Sequence, residues 1–256
     1  AEQPPERETS PAEAPAALPE DPALWTLADF APALCAADAA EERYAIAAGT
    51  EWENEVVVRR GAAEGPAVYI VGGIHGDETA GWTAANLLKT VCPDAGTVYL
   101  LSPANRYGAE NDRRTTRSMR DLNRCFPGKS DGWDAEQIAA SIYADIADKQ
   151  PALVLDLHET KGPQASAPER DDLRGSVIVC DVAPVADLIW DLTVDGAWTL
   201  LGSPPAGSIN RTVSEELGIP VLTLETWRAD ALSVRVAQQL RFVRAVLDFC
   251  GVLSGQ

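Results

Sequence analysis

The chain has 256 residues, of which 46% are hydrophobic and 23% charged, with 21 basic and 39 acidic side chains and a net charge of −18. This is enough apolar material for one large domain or two small ones. The negative balance argues against nucleic acid or an anionic membrane as a partner, since both reward clustered positive charge, and no apolar run reaches the ~18–20 residues of a membrane helix.

Residues 1–22 hold six of the 18 prolines, five alanines, six acids and one arginine. They read as an extended tail or linker ahead of a single domain over 23–256. A chain that begins at Ala1 fits either removal of a signal peptide or a boundary cut from a longer sequence. A Pro/Ala/Glu spacer has a clear use at a cell envelope, so an extracytoplasmic location is expected, secreted or envelope-tethered, over a cytoplasmic one.

Residues 55–59 read as a strand, and 67–74 (AVYIVGGI) as a buried strand ending in glycines. A helix is predicted over 79–90, with Leu87 and Leu88 inward, then a short strand over 97–102. The helix predicted over 135–149 places Ile138, Ile142 and Ile146 four residues apart. Strands follow over 152–157 (ALVLDL) and 176–182, a helix over 184–192, a strand over 220–224 and a long helix within 229–253. Continuous apolar strands alternating with helices indicate an α/β sheet covered on both faces. Such sheets place their sites just outside the carboxyl ends of their strands. His75, His158 and Glu225 each follow a predicted strand, and the chain has no third histidine.

The segment Gly72-Gly73-Ile74-His75-Gly76-Asp77-Glu78 sits at the turn from strand into helix. The three-residue spacing lets the His75 imidazole and the Glu78 carboxylate converge on one ion, and His158 can add a third ligand. Two histidines and a glutamate with one position left for water form a catalytic rather than a structural zinc set. Asp77 rivals Glu78 but points elsewhere if the turn is helical. The competing reading is a glycine-rich turn with a surface histidine. A phosphate loop is disfavoured, because both G-x-G-x-x-G and the GK[ST] ending are missing.

Six of the 17 arginines, Arg106, Arg113, Arg114, Arg117, Arg120 and Arg124, fall within 19 residues. In so acidic a chain this cluster suggests recognition of a carboxylate by the planar guanidinium. For Arg113 and Arg120 salt bridging to the surplus acids is the stronger reading; for Asn123-Arg124, beside Phe126-Pro127-Gly128, function is favoured. Glu225, in Leu222-Thr223-Leu224-Glu225-Thr226, ends an apolar strand where a carboxylate is costly to bury. It suits a general base next to activated water; otherwise it is a strand-end carboxylate capping a helix. No G-x-S-x-G elbow is present. The cysteines, Cys35, Cys92, Cys125, Cys180 and Cys250, form no C-x-x-C pair, which argues against a zinc knuckle and allows one or two bridges with a thiol left over. Cys250, on an apolar helical stretch, reads as core.

Together GGIHGDETAG (72–81), DLNRCFPG (121–128), DLHET (156–160) and TLET (223–226) resemble the zinc carboxypeptidase superfamily, and most closely its succinylglutamate desuccinylase/aspartoacylase branch. The resemblance spans about 67–250. It implies a mixed, twisted sheet of about eight strands with helices on both faces and one Zn²⁺ per chain. It implies His75, Glu78 and His158 as metal ligands and Asp121 as the carboxylate that orients a ligand histidine. Asn123 and Arg124 match the clamp on the substrate carboxylate, Arg114 the arginine that polarises the scissile carbonyl, and Glu225 the general base. Arg113 and Arg117 stay open as alternatives to Arg114.

Two departures matter. The loop 202–208 (GSPPAGS) lacks the tyrosine of the carboxypeptidases. Only 31 residues follow Glu225, too few for the C-terminal β-rich domain of the deacylases, so the sequence reads as a minimal catalytic core. The expected activity is hydrolysis of an amide bond beside a free carboxylate, in a peptide or an N-acyl amino acid, by a metal-activated water. The alternative is a non-catalytic metal-containing binding protein that keeps the fold.

Overall fold

The computed structural model describes Phe30 and residues 33–36, 41–160, 175–194 and 198–253; the proposed tail, 1–22, lies outside these. Eight strands form one mixed sheet: β1 (Glu42–Ile46), β2 (Asn54–Arg60), β3 (Ala63–Gly72), β4 (Ala95–Leu101), β5 (Leu153–Thr160), β6 (Gly175–Val179), β7 (Trp198–Gly202) and β8 (Val221–Trp227). Their order across the sheet is β1-β2-β4-β3-β5-β8-β6-β7. The central run β4-β3-β5-β8 is parallel, and antiparallel pairings join it to β2 and β6. This is the α/β architecture with about eight strands that the sequence implied.

Helices α1 (Thr79–Leu88), α4 (Ala186–Thr193) and α6 (Leu232–Phe249) cover one face, while α3 (Asp134–Lys149) and α5 (Ile209–Leu217) cover the other; α2 (Arg106–Glu110) is a single short turn. The two hydrophobic cores follow the strand alternation. Leu153, Leu155 and Leu157 of β5 enter the α1/α6 core, whereas Val154 enters the α3/α5 core. Beyond Val154 the second face of β5 carries Asp156 and His158, so one strand turns from core to site along its own length. Among the described residues no helix is long and apolar enough to cross a membrane.

Two expectations shift. His158 and Glu225 lie inside β5 and β8, not after them, because their pairing continues to Thr160 and Trp227. The edge strands β1 and β7 and the nine-residue α5 went unassigned. Edge strands are buried on fewer sides and carry weaker patterns, and α5 buries little more than Ile209 and Val213 as its apolar stripe. Cys35 and Cys92 form a disulfide across 57 residues, next to the backbone bond from Cys92 N to Ala33 O at 2.8 Å. Cys250 follows the last turn of α6, half-buried against the core.

Candidate metal centre and active site

The site forms where β3, β5 and β8, side by side in the sheet, release their carboxyl ends. His75 is held in the turn between β3 and α1. Gly73 takes φ +77° there, a left-handed conformation open to glycine. At Gly76 a Cβ would overlap the backbone of Gly108. Glu78 occupies the cap position of α1 but makes no capping bond. Its carboxylate turns inward, with Oε1 2.8 Å from His75 Nδ1 and Oε2 2.7 Å from His158 Nδ1. Oε2 also accepts the Glu159 backbone N–H at 3.0 Å. All three side chains are buried, and one ligand atom from each fits within 4.8 Å of the others.

Carboxylates back both imidazoles. His75 Nε2 lies 3.0 Å from Asp121 Oδ1. His158 Nε2 lies 2.9 Å from Asp156 Oδ1, in ion-pair contact though off the line of a well-formed hydrogen bond. A proton on each Nε2, facing its carboxylate, leaves both Nδ1 lone pairs turned to the Glu78 carboxylate; this is how histidine ligands of metals are fixed in one tautomer. The sequence reading found Asp121 but missed Asp156. The signal was present in Asp156-Leu157-His158: two residues apart on a strand, the carboxylate and imidazole share a face.

The charges fit a cation. Burial alone would raise Glu78, but His158 and His75 hold it well below the usual carboxylate range. Asp121 behaves alike, its burial outweighed by His75 and Arg114. Burial opposes the charged form of His158, yet Asp156 and Glu78 lift it well above the ordinary value. So many buried carboxylates demand positive charge, and the donor set of two imidazoles and a carboxylate suits zinc.

Glu225 stands opposite His158 in the β5–β8 register and lines the same cavity, which encloses about 310 Å³. Desolvation by burial, reinforced by Glu78 and Asp156 against the histidines, pushes its carboxyl up to about 7. Arg114 also lines the cavity, donating from Nη1 to Glu78 Oε1 at 3.1 Å and from Nη2 to Asp121 Oδ2 at 3.1 Å. Its two rivals sit elsewhere. Arg113 is exposed. Arg117 stacks between Trp52 and Tyr107 and pairs with Glu51. Arg120 lies over the Trp133 ring, 4.9 Å from its centroid, rather than in the surface ion pair expected of it. Arg106 donates to the carbonyl of Glu53.

Asn123 and Arg124 sit on one 3₁₀ turn, which Asp121 caps by accepting the Asn123 N–H at 2.9 Å. Both reach the cavity. The Asn123 amide is oriented by the Ile209 N–H, which its Oδ1 accepts at 3.0 Å. Asp77 points away from the metal cluster and binds Arg228, with Nη1 to Oδ2 at 2.9 Å. The structure thus brings together His75, Glu78, His158, Asp121, Asn123, Arg124, Arg114 and Glu225, from segments 150 residues apart.

The family profile of the succinylglutamate desuccinylase/aspartoacylase catalytic domain matches residues 64–249. An N-alpha-acetyl-L-2,4-diaminobutyric acid deacetylase of Halomonas elongata is 38% identical over 106 residues, 40% of this chain and 30% of the relative; the match spans less than a third of that protein's length. A succinylglutamate desuccinylase/aspartoacylase of Rhodobacter sphaeroides shares the fold with a TM-score of 0.64 at 23% identity, covering 88% of this chain and 70% of that one. The product-bound ectoine utilization protein EutE (DoeB) of Ruegeria pomeroyi gives 0.65 at 20% identity over 87% and 71%. The tripeptide-bound cell shape determinant Csd4 of Helicobacter pylori gives 0.64 at 17% over 78% and 56%.

Proposed function

The chain belongs to the succinylglutamate desuccinylase/aspartoacylase family, a family of deacylases that hydrolyse amide bonds of acyl amino acids, and from that premise we propose that it is a zinc-dependent amidohydrolase acting on an N-acyl amino acid with a free carboxylate. The observation that carries this reading is the convergence of His75, Glu78 and His158 within 4.8 Å, beside Glu225 in the same cavity. The named activity of the Halomonas elongata relative, removal of an acetyl group from an amino acid, supports the substrate class.

Nδ1 of His75, the Glu78 carboxylate and Nδ1 of His158 would hold zinc. When bound, zinc supplies Lewis acidity that acidifies a water and polarises the scissile carbonyl. The remaining work falls to the chain. Glu225 takes a proton from the attacking water and delivers it to the leaving amide nitrogen, both transfers within reach of one carboxylate that lines the cavity. The Arg114 guanidinium stabilises charge that develops on the carbonyl oxygen. The Arg124 fork and the Asn123 amide N–H hold the substrate carboxylate. Asp121 and Asp156 keep the two histidines in one tautomer and orientation.

We also propose that the protein works outside the cytoplasm. The Cys35–Cys92 disulfide supports this, because such bridges persist in oxidising compartments.

The test is a paired measurement. Purified protein should carry about one zinc per chain, His158→Ala should lose most of it, and N-acetyl amino acids should be cleaved far faster than the same compounds amidated at the carboxylate. Full metal retention in His158→Ala, or equal cleavage of the amidated compounds, refutes the ligand set or the carboxylate clamp respectively.

A further inference from the structure

Thr223 interrupts the apolar run of β8, between Leu222 and Leu224. It stands opposite Asp156 in the β5–β8 register, just as Glu225 stands opposite His158. Side chains alternate along a strand, so these four share one face of the sheet. Thr223 and Asp156 are both buried.

The Thr223 hydroxyl has two partners. Asn210 Nδ2, from α5, lies 2.9 Å from Thr223 Oγ1, and Oγ1 lies 3.1 Å from Asp156 Oδ2. The direction of these bonds is fixed. Asn210 Nδ2 also lies 2.9 Å from the carbonyl oxygen of Ile178, which can only accept, so the nitrogen of the amide faces Thr223. Nδ2 donates to Oγ1, and the single hydroxyl proton is left for the Asp156 carboxylate.

That bond matters because of what the other oxygen does. Asp156 Oδ1 lies 2.9 Å from Nε2 of His158. The terminal torsion of an aspartate is broad, so the strand backbone alone does not set the plane of its carboxylate. A donor on Oδ2 fixes that plane and with it the place where Oδ1 meets the imidazole. Among the described residues Thr223 supplies that donor. A ligand histidine is oriented by the group behind it, and that group is in turn held by its own hydrogen bonds.

We propose, resting on the metal-ligand set of the hydrolase reading, that Thr223 is a positioning residue for the metal centre. Its hydroxyl, aimed by Asn210, pins Asp156, and through Asp156 it sets the orientation in which His158 presents Nδ1 to zinc.

Zinc-loaded full chain is equilibrated with a chromophoric chelator to give the zinc dissociation constant. Two pairs of proteins are compared, wild type with Thr223→Val and Thr223→Ser with Thr223→Ala. The members of each pair differ in the hydroxyl and hardly in shape. Loss of a group that touches a ligand histidine costs ~10–100-fold in metal affinity. Thr223 stands one step further out, so zinc binding should weaken by about 10-fold within each pair, and Thr223→Ser should stay within about threefold of wild type. Cobalt put in place of zinc reports ligand geometry through its visible absorption, which should change in Thr223→Val and hold in Thr223→Ser. In an Asp156→Ala background Thr223→Val should alter zinc affinity by less than about twofold, since the hydroxyl then has nothing to act through.

A Thr223→Val protein that melts earlier yet holds zinc as tightly as wild type makes Thr223 merely structural and overturns the proposal, while the hydrolase reading stands. A Thr223→Ser protein as weak as Thr223→Ala overturns it as well. If wild type itself holds no zinc, the ligand set falls and the proposal falls with it.

Discussion

Glu159 and Glu225 lie on adjacent strands, one register step apart, and burial raises the carboxyl of each. Their surroundings give them opposite tasks. Glu159 projects from β5 toward α1 and α6, where Oε2 accepts the Ala80 N–H at 3.0 Å and Oε1 pairs with Arg235. It caps α1 from outside, the task that Glu78 gives up by turning to the histidines. Glu225 projects to the other side of the sheet, beside His158; both glutamates border the cavity, but the Glu159 carboxylate is already bound to Ala80 and Arg235. Burial and a raised pKa are therefore not enough to mark a catalytic carboxylate. What separates the two is whether the folded chain already satisfies the carboxylate, as α1 and α6 do for Glu159.

Substitution should separate them in rate and in stability. The largest effect is expected for Glu225→Gln, which removes the proposed proton carrier and should lower kcat/KM by about 10²–10⁴-fold with zinc content and folding unchanged. Kinetics paired with metal analysis checks this, and an unchanged rate would put Glu225 in the same structural class as Glu159.

A second difference should appear in the metal-free protein as pH changes. Glu225 has an ordinary value of 4.5 and a folded value of about 7, so the folded state binds its proton more tightly than the unfolded state does. Its contribution to stability is therefore highest below about pH 4.5 and is lost as pH rises through 7, by a total of about 3 kcal/mol for the difference 7 − 4.5. Glu225→Gln removes this loss. Denaturation of both proteins from about pH 5 to 8 should show the variant gaining on the wild type by up to that amount. A constant difference would mean that the carboxylate is solvated in the folded chain.

The smallest expected effect is that of Glu159→Gln. The amide can still accept from Ala80, but Arg235 loses its buried anion, at a cost of about 1–3 kcal/mol in stability. The activity of the folded fraction should stay within about threefold. Thermal unfolding and kcat/KM measured on the same preparation give both numbers, and a loss of rate without a loss of stability would give Glu159 a place in the chemistry.

Much of the site was readable in the sequence because its signals are local. His75 and Glu78 stand at a fixed spacing in a glycine turn, Asp121, Asn123 and Arg124 share one short segment, and His158 and Glu225 each follow an apolar run. Where the residue stood in the strand was less readable. Strand ends depend on how far a neighbour pairs, and β5 and β8 extend each other past the residues where the apolar run stops.

The sequence by itself determined the alternation of strands and helices, the two histidines at strand ends and the arginine cluster, because periodicity and motif spacing are properties of the chain. Only the tertiary structure decided which arginine reaches the cluster. Arg113, Arg114 and Arg117 are near neighbours in sequence, and the loop sends Arg114 to Glu78 and Asp121 while Arg117 stacks on Trp52 and Tyr107. It also decided that Asp156 backs His158 and that Glu159 braces α1 and α6 while Glu225 stands on the face of the sheet that carries His158. The reason is the same in each case: partners come from elements distant in the chain, and whether a buried polar group is satisfied depends on all of them at once.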